Sequence, residues 1–289
     1  MPAPCRLPRT LATGTRRLTL GLAAACHPAP TVAVTAVAAL LAAGVGLSPG
    51  RIALFAAAVL TGQLSIGWSN DRIDSARDKA TGRADKPATT GRVPVDALWP
   101  AALAALATTA VLSALLGWRA GLAALLLVAA GWAYNLGLKA TQLSGLAYVI
   151  GFGALPAAPY LALPGHPWPP WWAPATGALL GLGAHFANVL PDLLDDANTG
   201  IRGLPQRLGR RRGILAMTST LAGASLVLGF GPGDVSLALG VTATVAGLVA
   251  AGTAAVLASR NPDSSAAFRL TLAIAVLDVA LFLVVTSRS

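Results

Sequence analysis

Two short segments of this 289-residue chain carry most of its carboxylates, and their spacing points to metal-dependent chemistry. In the first segment, Asn70, Asp74 and Asp78 are four residues apart, with Asp71 beside them. Residues at this spacing share one face of a helix. Two carboxylates about 4 Å apart repel each other by about 4 kcal/mol at an effective dielectric constant of about 20, so the stripe needs cations. Mg²⁺ is usually held by one or two carboxylates together with substrate phosphates, and a phosphate ester is therefore the expected ligand.

The second acidic segment repeats the first at an offset of 118 residues. Its Asn188, Asp192 and Asp196 reproduce the stripe, with Asp195 adjacent. Eight of the 23 residues in 70–92 recur unchanged in 188–210, which indicates an internal duplication. We call 70–78 the first acidic arm and 188–196 the second. Pro191 is expected to kink the second arm, because proline removes a helical hydrogen bond.

Basic side chains are interleaved with these acids. They are Arg77, Lys79, Arg83 and Lys86 near the first arm, and Arg202, Arg207 and Arg210 after the second. Guanidinium and ammonium groups bind phosphate oxygens directly. Ordinary solvated loops are the alternative, but membrane topology calls for bases rather than acids, and here the acids recur in register. We therefore expect a site for a phosphorylated substrate.

The composition indicates that the chain that carries these arms is embedded in a membrane. Hydrophobic residues make up 55% of the chain, charged residues only 11%, and the mean hydropathy is +0.67, which leaves too little polar surface for a soluble globule. Nine apolar stretches are predicted to span the bilayer as helices. They cover approximately 32–47, 52–68, 97–116, 120–136, 146–163, 173–190, 214–230, 237–257 and 267–285.

The net charge of +10 is explained by topology rather than by nucleic-acid binding. If the N-terminus is cytoplasmic, 18 of the 21 lysines and arginines fall in cytoplasmic segments, as the positive-inside rule requires. Only Arg51, Arg119 and Arg288 fall outside. This orientation predicts a multi-pass protein of the cell membrane, with both acidic arms in the cytoplasm and the C-terminus outside.

The offset of 118 residues also maps the first four spans onto the next four. The fold is therefore expected to be an all-α membrane bundle of two four-helix parallel repeats plus a ninth helix. The predicted divisions are a cytoplasmic N-terminal segment over 1–28 and a membrane domain over 29–289. Within that domain the first repeat covers about 29–140, the second about 141–258, and the ninth helix about 266–286.

Taken together, the arms "NDRIDSARD" and "NVLPDLLDD" at the cytoplasmic ends of spans 2 and 6 resemble the UbiA superfamily of intramembrane prenyltransferases. The pattern Asn-x3-Asp-x3-Asp is met by the first arm, and Asp-x3-Asp by the second. The segment "YNLGLK", with Tyr134 and Lys139, is similar to the Tyr and Lys of that family at the end of span 4. The stretch "DKPATTG" stands where members commonly show an Arg-Pro segment followed by Gly.

The resemblance implies a role for each matched residue. Mg²⁺ would be held by Asn70, Asp74, Asp78, Asp192 and Asp196, with the adjacent Asp71 and Asp195 as further candidates. Lys86, Lys139 and Arg202 would meet the diphosphate of a polyprenyl donor, with Tyr134 and Arg83 as further substrate-binding candidates. Asp74 and Asp192 are the acids expected to be catalytic. The prenyl group would pass to an acceptor, aromatic by default, as in quinone or other aromatic lipid biosynthesis.

Further side chains are weaker candidates. An allylic cation could be stabilised by aromatic faces, for which the candidates are Trp68, Tyr148, Phe152 and Phe186, although ordinary packing would also explain them. His185 lies one turn before the second arm, where a hydrogen-bonded histidine of the bundle is expected rather than a substrate contact. His27 and His166 lie in flanking segments and are expected to form no ligand cluster.

Other functions stay open at this point. An intramembrane terpene cyclase would use the same arms without an acceptor, and a lipid alcohol could replace the aromatic acceptor. A transporter is the alternative from another class, and it would be favoured by acids at mid-membrane depth. Only Asp278 lies well inside a span.

Overall fold

The computed structural model of the protein describes residues 9–82, 86–193, 196, 199–233, 235–261 and 264–286, with side chains from residue 16 onward except those of 284 and 285. Arg83 and Asp195, predicted to bind diphosphate and metal, lie outside the described residues. Within the described part of the chain every regular element is a helix and no strand occurs. The all-α fold class is therefore confirmed.

The described residues form ten α-helices. They are α1 (Arg9–Ala25), α2 (Pro28–Gly44), α3 (Pro49–Ala80), α4 (Val95–Leu115), α5 (Trp118–Asn135), α6 (Ser144–Ala162), α7 (Trp172–Val189), α8 (Leu204–Phe230), α9 (Leu237–Arg260) and α10 (Ala266–Thr286). Proline occupies the first turn of α2, α3 and α8, where its missing N–H costs no hydrogen bond.

By length and composition, six of these helices can cross a membrane: α3, α4, α6, α8, α9 and α10. A seventh candidate is the pair α1 and α2, which meet at a bend of 72°. The protein is thus a multi-pass membrane protein. Helices α2 to α10 overlap the nine predicted apolar stretches, one helix to each stretch, but the number of spans and the parallel repeat stay predictions.

The helices form a ring around a central cavity. From α2 to α10 each helix packs against the next, and α10 packs against α2, which closes the ring. Small residues allow the closest approaches: a side chain on Gly177 of α7 would collide with the carbonyl oxygen of Phe152 on α6. Such small residues are typical of helix packing in lipid, where no hydrophobic driving force acts between helices.

The central cavity has a volume of about 590 Å³. Its walls come from α1, α2, α3, α5, α6, α7, α8 and α10, while none of the described residues of α4 or α9 lines it. Both acidic arms lie at one end, and the rest of the wall is mostly apolar. The ring therefore encloses a cavity that is charged at one end and mostly apolar in its interior.

The two arms are built differently. Helix α3 is 32 residues long, which is roughly 48 Å at 1.5 Å per residue. It is therefore longer than the apolar core of a bilayer, which is about 30 Å thick. The first arm lies in the last turns of this continuous helix. In contrast, α7 ends at Val189 and a single 3-10 turn follows over Leu190–Asp192. Pro191 accounts for the break, because it has no N–H to donate to the preceding turn. The second arm therefore does not continue the α-helix before it.

Candidate active site

The first arm turns its carboxylates inward. Asp71, Asp74 and Asp78 are 1%, 6% and 4% exposed, and all three line the cavity. Their spacing on α3 accounts for the shared direction, since residues three and four apart lie on one helix face. Buried carboxylates are costly unless they are paired or hydrogen-bonded, and each of the three has a basic neighbour.

Asp74 lies at the centre of this network. Its Oδ1 lies 2.5 Å from Nζ of Lys139, and its Oδ2 lies 2.9 Å from Nη2 of Arg77. Asn70 donates from Nδ2 to the same Oδ2 at 3.1 Å. Burial lowers the pKa of Lys139, and the Asp74 carboxylate opposes that shift. The 3-10 turn Leu138–Ala140 after α5 thus carries a cation directly to the first arm.

Asp71 has a second pair of partners. Its Oδ1 lies 2.6 Å from Nζ of Lys86 and 3.0 Å from Nε2 of His27, and Lys86 and His27 are themselves 3.2 Å apart. His27 thus takes part in a hydrogen-bonded network at the first arm, a contact that the sequence analysis did not predict. His27 lies at the bend between α1 and α2 with a φ of 55°, and only the fold brings it to α3. The sequence carries no periodic pattern that would have indicated this contact.

Asn135 holds the first arm in place and was missed by the sequence analysis. From the last turn of α5, its Nδ2 donates to the carbonyl of Ile66 and to Oγ of Ser69, both at 2.9 Å. Its Oδ1 accepts from Nδ2 of Asn70 at 3.2 Å. Asn135 is 3% exposed, so these bonds are shielded from water. The "YN" of "YNLGLK" was the available signal.

In the second arm, Asp192 and Asp196 face the same cavity as the first. Gln206, from the first turns of α8, donates from Nε2 to Oδ2 of Asp196 at 2.8 Å. Burial raises the pKa of Asp196, and the charge of Asp192 raises it further, while the bond from Gln206 opposes both effects. A nearby cation would relieve this unfavourable environment.

The predicted bases divide into two groups. Lys86, Lys139 and Arg77 line the cavity. Arg202 is exposed and is not among the lining residues, and Arg210 donates instead to the carbonyls of Leu190 and Ala258. The cations at the cavity therefore come from α3 and the segments after α3 and α5. The phosphate contact predicted for Arg202 stays a prediction.

An aromatic cluster lies against the charged end of the cavity. The rings of Tyr134 and Tyr148 meet edge to face at 5.4 Å, and Tyr148 stacks on Phe152 at 6.0 Å; all three line the cavity. Two other aromatic candidates pack elsewhere: Trp68 donates to the carbonyl of Leu22, and Phe186 belongs to a separate apolar cluster. His185 is fully buried, with Nε2 3.0 Å from Oγ of Ser144, which agrees with a hydrogen-bonded histidine of the bundle.

The donor chemistry of the two arms fits a magnesium ion. No three His, Cys, Asp or Glu side chains of the described residues form a ready cluster. Mg²⁺ needs none, because it commonly takes one or two carboxylates and completes its shell with substrate phosphates and water. Among the described residues, Oδ2 of Asp71 and Oε1 of Gln206 are buried without a hydrogen-bond partner. Both residues line the cavity, so the first arm and the start of α8 each keep one oxygen for a cation.

Known proteins match this chain over most of its length. A model of the UbiA prenyltransferase family matches residues 31–277, whereas no curated protein matches significantly. An apo structure of a UbiA homologue from Aeropyrum pernix K1 has a TM-score of 0.73 and 21% identity, covering 88% of this chain and 97% of that one. A UbiA homologue from Archaeoglobus fulgidus matches with a TM-score of 0.70 when bound to GPP and Mg²⁺ and 0.71 when bound to DMAPP and Mg²⁺. Both of its structures are 15% identical, covering 92% of this chain and 99% of that one.

Proposed function

We propose that this protein, which belongs to the UbiA prenyltransferase family, transfers a prenyl group from a prenyl diphosphate to an aromatic acceptor in a Mg²⁺-dependent reaction. The observation that carries the proposal is that both acidic arms line one end of a single, otherwise mostly apolar cavity. A prenyl diphosphate has the matching polarity, with a charged head and a hydrocarbon tail. The bound GPP, DMAPP and Mg²⁺ of the Archaeoglobus fulgidus homologue lend support.

The head group would lie between the arms. Asp71, Asp74 and Asp78 from the first arm and Asp192 and Asp196 from the second would hold Mg²⁺. When bound, the metal supplies positive charge that stabilises the diphosphate as a leaving group. Among the described residues, Oδ2 of Asp71 and Oε1 of Gln206 have no hydrogen-bond partner. Mg²⁺ could therefore bind these two oxygens without breaking a hydrogen bond within the protein.

Three basic residues would bind the phosphate oxygens. Lys86, Lys139 and Arg77 already lie at the cavity, paired with Asp71 and Asp74. A cation that binds these carboxylates would weaken the pairs and free the bases to turn toward the diphosphate. Positive charge aimed at the leaving group stabilises the transition state for breaking its C–O bond.

Beyond the head group, the cavity wall suits an allylic cation. The rings of Tyr134, Tyr148 and Phe152 present aromatic faces next to the charged end, and such faces attract cations. The apolar wall also keeps water away from the cation. The same rings could stack on a flat acceptor, which supports an aromatic acceptor over a saturated lipid alcohol.

The orientation in the cell membrane is part of the proposal. We place the N-terminus and both arms in the cytoplasm and the C-terminus outside. The distribution of lysine and arginine supports this orientation. A cytoplasmic entrance would admit soluble diphosphates and aromatic acids.

The test is a substrate panel. The full-length protein in lipid nanodiscs is incubated with labelled dimethylallyl, geranyl, farnesyl or geranylgeranyl diphosphate, together with aromatic acids or lipid alcohols, with Mg²⁺ or with EDTA. We expect a prenylated aromatic product that requires Mg²⁺. A terpene hydrocarbon or alcohol formed without an acceptor would indicate a cyclase instead. Uptake into proteoliposomes without chemical turnover would replace the proposal by a transporter.

A further inference from the structure

A surface groove beside the central cavity has no part in the proposed reaction. It runs between α1 and the segment 86–94, and its lining includes Arg17, Leu18 and Leu20 of α1 and Arg92 of that segment. We call it the α1 groove. Its volume is about 610 Å³, within the range of about 300–1,000 Å³ that is typical of ligand pockets.

Helix α1 lies at the end of the protein that carries the acidic arms. Nε1 of Trp68, two residues before the first arm, donates to the carbonyl of Leu22 on α1 at 2.8 Å. The bend between α1 and α2 is 72°. Because α2 overlaps the first predicted span, a helix at this angle to it runs along the membrane surface rather than through the membrane.

The two sides of α1 differ in character. Gly21 and Ala25 are buried against the protein, whereas Arg17 is exposed and Leu18 and Leu20 are 37% and 61% exposed. A helix that presents both arginine and leucine away from its own protein is typical of the membrane interface, where the guanidinium meets head groups and the leucine meets acyl chains. The exposed side of α1 is thus suited to lipid.

The opposite wall of the groove is connected to the proposed active site. Within 86–94, the amide of Thr90 donates to the carbonyl of Lys86 at 3.2 Å, and the amide of Arg92 donates to the carbonyl of Pro87 at 2.9 Å. Helix α1 packs directly on this segment, because a side chain on Gly21 would collide with the carbonyl oxygen of Arg92. The segment that lines the groove is therefore the one that holds Lys86.

The charge of the groove calls for an anion. Arg17 and Arg92 line it, and among the described residues neither of them forms an ion pair with an acid. Nε of Arg92 donates to Oγ1 of Thr90 at 3.2 Å. The chain before Asp71 contains no acidic residue, so the N-terminal segment offers no carboxylate side chain as an occupant.

The internal repeat provides a comparison for Arg92. Arg210 is its counterpart at the offset of 118 residues. Arg210 donates to the carbonyls of Leu190 and Ala258 at 3.4 and 2.6 Å, and it thereby joins parts of the bundle. Arg92 is exposed and faces the groove instead. In the first copy this arginine is thus at the surface, where an external ligand can reach it.

We propose that the α1 groove binds an anionic phospholipid of the surrounding leaflet. Its phosphate lies at Arg17 and Arg92, since guanidinium groups bind phosphate oxygens in pairs of hydrogen bonds, and the start of an acyl chain lies along Leu18 and Leu20. A free phosphate would leave these leucines in water, whereas a lipid covers them. The bound lipid joins α1 to the segment 86–94 and so stabilises the segment that holds Lys86.

Lipid binding to the delipidated full-length protein tests the proposal. Native mass spectrometry of the protein in detergent measures the affinities for phosphatidylglycerol and phosphatidylcholine. We expect phosphatidylglycerol to bind at least about fivefold more tightly, the factor that one arginine contributes at an anionic membrane surface. Equal affinities would overturn the proposal. Glycerol 3-phosphate is the soluble competitor, and if it displaces the lipid at equal concentration, the groove is a phosphate site and the assignment to lipid is wrong.

Paired substitutions assign the binding to the groove. The double variant Arg17→Gln/Arg92→Gln should lose the preference for phosphatidylglycerol. Arg211→Gln/Arg212→Gln is the matched control, because it removes the same charge from two exposed arginines near the start of α8, and it should keep the preference. Mass spectra report the lipid bound to each folded molecule, so partial unfolding does not affect the ratio. A preference that persists in the groove variant, or that the control loses equally, would refute the inference.

Thermal unfolding tests the stabilising effect of the lipid. A ligand that binds only the folded protein raises its thermal midpoint, so phosphatidylglycerol should raise the midpoint of the wild type and of the control above that in phosphatidylcholine. The groove variant should show no such rise. An equal rise in all three proteins would show that the lipid acts elsewhere. Neither measurement uses a prenyl diphosphate, so their results do not depend on the proposed function.

Discussion

Lys139 Nζ lies 2.5 Å from Oδ1 of Asp74, joining the turn after α5 to the first acidic arm across 65 residues of sequence. Lys139 carries most of its length into the protein, with 11% of its side chain exposed. Its charge is therefore directed at the cavity rather than at the surrounding solvent. This ion pair holds the ammonium group of Lys139 at the first arm before a diphosphate binds.

Replacing Lys139 by alanine should lower kcat/KM for the prenyl diphosphate by about 100-fold or more, since removal of one group that stabilises developing charge costs about that much. Lys139→Arg should retain part of the activity, because it keeps the charge with a different geometry. The measurement is steady-state kinetics in nanodiscs. Lys79→Ala is the control, because Lys79 is an exposed lysine in the last turn of α3. Equal losses in Lys79→Ala and Lys139→Ala would argue against a specific role for Lys139.

Removing either acid predicted to be catalytic should abolish Mg²⁺-dependent turnover. We expect Asp74→Ala and Asp192→Ala to insert into the membrane normally and to lose detectable product formation, because both carboxylates line the proposed metal site. Product formation across a Mg²⁺ titration is the readout. Asp96→Ala serves as the comparison, since Asp96 is an exposed acid at the start of α4. Wild-type rates in either arm variant would contradict the site.

Asn135 should contribute to stability and to the geometry of the first arm. Asn135→Leu removes the donors for Ile66 and Ser69 and the acceptor for Asn70. Leaving such buried groups unpaired costs about 1–3 kcal/mol. We expect a lower thermal midpoint in detergent and weaker binding of Mg²⁺ with an unreactive donor analogue. A variant with an unchanged midpoint and full Mg²⁺ affinity would show that the arm does not depend on Asn135.

The first arm could be predicted in detail because its signal is local. The spacing of Asn70, Asp74 and Asp78 is a property of one helix, and α3 is continuous through all three. The second arm could be predicted only as a set of residues. Pro191 interrupts the α-helical hydrogen bonding between α7 and the second arm.

The contacts between residues far apart in the sequence could not be predicted for a different reason. His27 meets Asp71 across 44 residues and Asn135 meets Asn70 across 65, and neither contact leaves a periodic pattern in the sequence. The phosphate contact predicted for Arg202 stays a prediction, and its side chain is exposed.

Close packing of α7 on α6 should tolerate no added methyl group at Gly177. A Cβ there would collide with the backbone carbonyl of Phe152, and neither helix can move without disturbing the cavity wall to which both residues contribute. Overpacking of this kind costs about 1–3 kcal/mol, so Gly177→Ala should lower the thermal midpoint and the yield of folded protein. Gly252→Ala on α9 is the matched control, because a Cβ at Gly252 meets no atom of the described residues within 4 Å and alanine favours the helix by about 1 kcal/mol. Size-exclusion chromatography and thermal unfolding of both variants provide the measurement. If Gly177→Ala is as stable as Gly252→Ala, α6 and α7 are not in the close contact on which the shape of the cavity depends.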